Sequence, residues 1–389
     1  MPMVRESPRL PALPYEPYES LDERPHVMVD GAARPSSVLT LSHWPQSPTP
    51  PELARDVSAS IVFAYLRLVV SSGGRGPVSG SSALRRAIGR GRLAEAVTND
   101  HFDEDGLVSV FALVDPEAAF ARADLLAAVA TCGDFGVVDA TEAARIAFAI
   151  APLAEAEAGA GAGTSERYQA VLPRMGELVE HAGRFEAYFA GQLRELELGR
   201  AAIEGGEVTI TEHPELDLAV VARARSPRSS GGRLPGAEGG LPVHAAALHS
   251  ATAASRVIAF DGPWCECYLR YEGWVKTVSR RLPLRPDLGP LAACLTAEEP
   301  SGLAWEADDV GAIVTHLRPG GDGRSEIDPA RIVALGSDYL ASAEPAWDPW
   351  RPGGGYIPPQ ERPGYASSYG RPVRRPRTPR RGRRGTGPG

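Results

Sequence analysis

Lysine is almost missing from this chain. Lys276 is the only one, and every other basic side chain apart from histidine is arginine. Together with the heavy use of Ala and Gly, this fits a GC-rich coding bias, so the arginine count carries little functional weight by itself. Cysteine is scarce too. Cys132, Cys265, Cys267 and Cys294 suit a reduced compartment better than a disulfide frame. Cys265-x-Cys267 sits in a strand-like run that turns both side chains one way, and no second close pair accompanies it. That argues against zinc and for buried thiols. No window approaches the roughly 18 apolar residues of a membrane helix. Met1 to Ser20, rich in Pro and Glu, lacks the basic-then-apolar layout of a signal peptide. These absences point to a cytoplasmic protein without a membrane segment. No internal repeat is visible, and Gly353-Gly354-Gly355 lacks the Lys-Ser/Thr partner of a nucleotide loop.

What is present is enough to build a sizeable core. The chain has 389 residues, 43% of them hydrophobic, and a formal net charge of −8, which suggests two domains plus tails. Residues 371–389 hold eight arginines and no acid, so residues 1–370 carry a net charge near −16. An acidic body disfavours broad nucleic-acid binding, although one basic pocket remains compatible with it. Residues 1–25 read as a loose N-terminal segment. Within 26–205, strand-like runs (27–30, 38–42, 93–99) alternate with helical ones (53–70, 83–88, from 107, 116–131, 140–154, 166–198). This predicts an α/β domain with a largely parallel sheet and flanking helices. Residues 206–342 read as a smaller α+β domain, with strands at 208–210, 218–222, 255–260, 264–271, 274–279, 303–306 and 312–317. Residues 343–389, rich in Pro, Gly and Arg, read as a disordered tail.

The densest chemistry lies in Asn99-Asp100-His101-Phe102-Asp103-Glu104-Asp105-Gly106, directly after a buried-looking strand. In extended backbone His101, Asp103 and Asp105 would point to one side. Like-facing polar groups repel or go unsatisfied unless water, a proton or a cation compensates, which makes a metal site one reading. The other is a solvated turn, with Asp capping a helix and Gly taking a positive φ. An EF-hand loop fits poorly, because Leu107 to Val114 are apolar where that loop needs oxygen ligands. His43, at the end of the run Val38 to Ser42, and the 99–106 turn both fall at C-terminal ends of predicted strands, where α/β sheets bind ligands. Asp134, in Cys132-Gly133-Asp134-Phe135-Gly136, and Asp30, after Val27-Met28-Val29, are further carboxylates expected from turns. His43 alone also reads as a helix-cap or core-edge histidine.

His101-x-Asp103-x-Asp105-Gly106-x-x-Ser109 resembles the first motif of the DHH-family phosphoesterases. That superfamily includes exopolyphosphatases, pyrophosphatases, RecJ-type nucleases and small-nucleotide phosphodiesterases. The resemblance implies that His101, Asp103 and Asp105 ligate manganese or magnesium, that Ser109 lies in the first turn of the next helix, and that a metal-activated water attacks phosphorus. It covers nine residues of 389. The family's Asp-His-His triplet is absent, since no two histidines are adjacent. Its Gly-Gly-Gly-His signature is missing as well, with Asp308 to His316 a loose stand-in. The Leu-Ser-His-Trp-Pro and Asp-His-Phe-Asp-x-Asp-Gly runs also resemble an actinobacterial family that carries no assigned activity.

Tyr268, Arg270, Tyr271, Trp274, Arg280 and Arg281 gather aromatic and guanidinium groups in the second domain. They could recognise phosphate or a base, or simply pack a sheet. The expectation that emerges is a Mn- or Mg-dependent phosphoester or phosphoanhydride hydrolase. His101, Asp103, Asp105, Asp134 and His43 are its candidate metal ligands, and Arg270, Arg280 and His316 its candidate substrate contacts. Its partner would be a small phosphorylated substrate or a short nucleotide. The rival is a non-catalytic binding or scaffold protein with a degenerate site, whose Arg-rich tail makes a weak, salt-sensitive contact with nucleic acid or another acidic partner. A RecJ-type nuclease would combine the two ideas.

Overall fold

The computed structural model describes residues 12–72, 79–223 and 241–362. Its first sheet has three parallel strands, β1 (His26–Val29), β2 (Ser37–Leu41) and β3 (Ala96–Thr98), in the order β2-β1-β3. All four β1 residues are buried, as expected of a central parallel strand covered on both faces. Helices α1 (Ser58–Ser71) and α2 (Ser82–Gly91) connect β2 to β3. Next come α3 (Glu104–Val114), α4 (Pro116–Ala121), α5 (Ala123–Phe135) and α6 (Thr141–Ala158). Nine consecutive residues of α3, Asp105 to Leu113, are buried. It is therefore a central helix with α1 and α5 packed on it, and no polar face shows in its sequence.

The single helix expected over 166–198 is broken. It forms α7 (Thr164–Val171), α8 (Met175–Glu180) and α9 (Glu186–Glu204), joined by short 3₁₀ turns. Pro173 lies in the first of these turns, where a missing amide and a fixed φ cannot continue an α-helix. The N-terminal segment is also more ordered than expected. From residue 12 it runs beside β3, where Tyr15 bridges to Val97 and the Glu16 amide donates to the Val97 carbonyl at 3.0 Å.

The second sheet has six strands in the order β4-β5-β6-β7-β10-β9. They are β4 (Val208–His213), β5 (Leu218–Arg223), β6 (Arg256–Asp261), β7 (Trp264–Leu269), β9 (Trp305–Ala307) and β10 (Thr315–Pro319). Only β5 and β6 pair in parallel, with α10 (Ala245–Ala251) between them in the chain. Side chains alternate between faces as strand geometry requires. Ile258, Phe260, Cys265, Cys267 and Leu269 share one core with α11 (Gly289–Glu298) and α12 (Pro329–Ser342). Val257, Ala259 and Tyr268 face α10 and the end of α9. All four cysteines are free thiols, and no helix among the described residues is long and apolar enough to cross a membrane.

Residues 274–279 form no strand. A 3₁₀ turn at 271–273 leads into an irregular strap across the first unit. Residues 343–362 also depart from the expected tail. β11 (Pro345–Trp347) pairs with β8 (Arg285–Pro286), and Trp347 stacks on Trp274 with centroids 5.6 Å apart. The arginine-rich segment 371–389 lies outside the described residues.

Candidate metal centre

The carboxyl ends of the three parallel strands converge. Asp30 follows β1, Ser42-His43 follows β2 and Asn99 to Asp103 follow β3. Asn99 ties two of these ends together. Its amide donates to the carbonyls of Val29 and Asp30 at 3.1 and 3.2 Å, and its side-chain oxygen accepts the His101 amide at 2.7 Å. This folds residues 99–103 back over Asp30.

His101, Asp103 and Asp105 do not lie along one extended strand. Asp103 is the N-cap of α3, accepting the Gly106 amide at 2.8 Å, and Asp105 already belongs to the first helical turn. The turn brings them together all the same. Gly106 makes this possible, since a Cβ there would fall 2.6 Å from Asn99 Nδ2 and 2.8 Å from the Tyr168 hydroxyl. Ser109 lies deeper in α3 than the first turn, with a buried hydroxyl that has no hydrogen-bond partner. Asp134 comes from the last turn of α5 and not from a loop. The loop begins only at Gly136, whose φ of 63° ends the helix.

Asp30 sits at the middle. Its Oδ1 lies 3.3 Å from His43 Nε2 and its Oδ2 3.3 Å from His101 Nε2. His101 Nε2 is also 2.9 Å from Asp103 Oδ2. His43 Nε2 is 3.5 Å from Asp134 Oδ2 and 3.9 Å from Asp105 Oδ2. Two donor triads result, Asp30–His101–Asp103 and Asp30–His43–Asp105, each with its ligand atoms within 4.8 Å of one another. Both imidazoles are oriented from behind. His43 Nδ1 is 2.5 Å from the Asp56 carbonyl and His101 Nδ1 is 2.9 Å from Asp100 Oδ1. A partner on Nδ1 that turns Nε2 toward the carboxylates is how metal-binding histidines are usually held.

The electrostatics are strained without a cation. Burial pushes the Asp30 carboxyl up, but His101 and His43 outweigh it and hold it well below the usual range. Burial works against charge on both histidines, yet their carboxylate neighbours raise both. Burial and the nearby Asp30 charge push Asp105 up to about 7. Burial with the surrounding acids pushes Asp134 well above its ordinary value. The buried oxygens Asp30 Oδ2 and Asp134 Oδ2 have no hydrogen-bond partner. Buried oxygens without a hydrogen bond, carboxylates that resist ionising and two oriented imidazoles form a donor set that fits a hard or borderline divalent ion.

The inner triad is sealed, whereas the outer one opens to solvent. Asp100, His101 and Asp103 side chains are 23%, 31% and 33% exposed. Trp44 flanks His101 with centroids 5.3 Å apart. The second unit closes the other side through its strap. The Tyr271 hydroxyl reaches His43 Nε2 at 3.3 Å, and Trp274 meets Trp44 edge-on. The Lys276 amide donates to the His43 carbonyl at 2.9 Å.

The family model for DUF6687, described as a family of unknown function, matches residues 11–332. The chain belongs to this family. The match spans both sheets and every residue of the cluster. No curated protein and no solved structure matches the chain.

The residues expected to touch substrate lie elsewhere. Arg270 is buried, pairs with Glu272 at 2.6 Å and donates to the Phe135, Thr252 and Ala254 carbonyls. His316, on β10, faces Glu266 at 2.7 Å. Arg280 donates to the Ala253 carbonyl. None of the three joins the cluster. The candidate ligands read from the sequence omit Asp100 and name Asp30 only as a further carboxylate, and Tyr271 stands there among the aromatic and guanidinium groups of the second domain, apart from the cluster. A carboxylate directly after a buried strand was the available signal for Asp30. Nothing in the sequence ties Tyr271 to His43, because its approach depends on how the two units meet.

Proposed function

We propose that this chain is a divalent-metal-dependent hydrolase of a phosphoester or phosphoanhydride, as the DHH-like His-x-Asp-x-Asp run suggests. The observation that carries this reading is the Asp30 carboxylate, which offers one oxygen to each of two histidine–carboxylate triads. Asp30, His101 and Asp103 would hold one Mn²⁺ or Mg²⁺ ion, and Asp30, His43 and Asp105 a second, with Asp134 a further oxygen donor beside His43. Bound there, such ions supply Lewis acidity toward phosphoryl oxygen and lower the pKa of a water. The chain's own residues orient and enclose. Asp56 and Asp100 fix the imidazoles, Tyr271 covers His43, and Trp44 limits water beside His101. Substrate would enter on the exposed flank of His101 and Asp103. A small phosphorylated compound or short nucleotide suits that opening better than a long polyanion, given the acidic body.

The test is elemental analysis of the purified protein, with hydrolysis of p-nitrophenyl phosphate, bis-p-nitrophenyl phosphate and pyrophosphate in Mn²⁺. Wild type should turn over at least one of these, and Asp103→Ala should lose activity by more than about a hundredfold. A protein that binds no divalent ion and hydrolyses none of them would refute the proposal. Bound metal without turnover would favour a non-catalytic binding role.

A further inference from the structure

A cavity of about 700 Å³ lies on the strap and the segment after it, between residues 272–284 and 348–350, and no residue of the carboxylate cluster lines it. We infer that it is a second ligand site, for an aromatic anion of the nucleoside-phosphate kind. This goes beyond the hydrolase reading and does not rest on it.

Three large apolar side chains that face solvent, Val278, Leu284 and Trp350, line this one cavity, and Trp350 is 52% exposed. Scattered exposed apolar residues need no explanation, but a group gathered in one concavity does. Cations stand beside them. Arg281 is exposed and has no hydrogen-bond or ion-pair partner among the described residues. The ammonium of Lys276, the chain's one lysine, lies over one face of the Trp350 ring, 5.9 Å from its centroid, and donates to the Ser47 carbonyl at 2.9 Å. Arg280 adds a third positive group, 3.8 Å from both Asp217 and Glu272.

Two acids also line the wall. Glu272 pairs through Oε1 with Arg270 at 2.6 Å while its buried Oε2 has no hydrogen-bond partner, and Asp348 Oδ1 accepts the Trp350 amide at 3.0 Å. What remains open is a guanidinium, an indole face and an apolar floor that includes Val275 and Pro283. The volume suits a small molecule. An indole stacks on any base, and a guanidinium matches a phosphate through paired hydrogen bonds. One ligand uses all three, a nucleobase carried on a sugar phosphate.

The probe is AMP, titrated into the full chain in EDTA and followed by calorimetry and tryptophan fluorescence, with adenosine and inorganic phosphate as its parts. AMP should bind saturably and at least about tenfold more tightly than either part. Arg281→Ala should weaken AMP about tenfold while sparing adenosine. Trp350→Ala should weaken AMP and adenosine alike by about tenfold. Asp103→Ala should leave AMP binding unchanged. The inference is overturned if AMP shows no saturable binding at millimolar concentration, or if phosphate alone binds as well. It is equally overturned if both pocket substitutions are silent, or if Asp103→Ala abolishes binding.

Discussion

Asp30 has one oxygen facing each histidine, so changing it should affect both triads at once. Asp30→Asn keeps the shape and removes the charge. Elemental analysis should find about two ions per chain in wild type, about one in Asp103→Asn and fewer than one in Asp30→Asn. Two ions retained by Asp30→Asn would show that it bridges nothing. The same cluster sets a pH dependence in the metal-free protein. Asp105 ionises near 4 in an unfolded chain and is pushed up to about 7 by burial and Asp30 in the fold. Its contribution to stability is therefore complete below about pH 4 and lost as pH rises through 7. His43, also raised in the fold, loses its contribution as pH climbs above about 6.5. Both act in one direction, so Tm in EDTA should fall between about pH 5.5 and 8, and Mn²⁺ should restore it at the upper end. A Tm that rises with pH in EDTA would contradict the charge assignment. Residue identity made much of this site readable, because imidazole and carboxylate groups clustered after apolar runs stand out in a sequence. The sharing of Asp30 did not stand out. It depends on the β2-β1-β3 strand order, and no local pattern encodes which strands become neighbours.

Helix α1 illustrates how element boundaries carry the site. Its N-cap position is Val57, which offers no side-chain acceptor. The cap comes from a distant residue, since Asp105 accepts the Ser58 and Ala59 amides at 2.6 Å each. A carboxylate at a helix N-terminus is favoured by both the free amides and the dipole. The sequence predicts a helix over 53–70 and a motif over 101–109, with no sign that one caps the other. Local rules describe Asp103 well, because it caps its own helix. They fail for Asp105, whose partners lie 46 and 47 residues away. Arg270 does similar work at the end of α5. It donates to the Phe135 carbonyl at 3.2 Å, as His249 Nδ1 also approaches it at 3.1 Å, beside Asp134. Arg270→Met would leave Glu272 buried without its closest ion-pair partner. It should cost about 3–5 kcal/mol of unfolding free energy in urea. A loss under about 1 kcal/mol would mean that the guanidinium is dispensable to the junction.

The strap is one of the junctions between the two units, beside the contacts of Arg270, His249 and Ser250 with residues 135–138. Residues 271–279 are pinned to the first unit by Tyr271 on His43, by the Lys276 amide on the His43 carbonyl, and by the Val278 and Ser279 amides on Asp56 Oδ1 at 2.6 and 2.9 Å. From its outer side the strap is backed by Trp347, whose indole nitrogen donates to the Trp274 carbonyl at 3.0 Å. Trp347 comes from a stretch that composition alone assigns to a tail. Pro, Gly and Arg are enriched directly after it, over residues 349–362, and a two-stranded pairing of three residues is too short to leave a periodic signal. Burial of one indole, with its hydrogen bond, outweighs that composition. The boundary can be tested by truncation. A chain ending at 362 keeps β11 and should melt within about 2 °C of full length. A chain ending at 342 loses Trp347 and exposes Trp274. Removal of one large buried aromatic costs about 3–5 kcal/mol, so its Tm should drop by about 6–15 °C. Equal melting of the two truncations would show that residues 343–362 merely rest on the fold. A drop confined to the shorter one would show that the strap over His43 is held in place from its outer side.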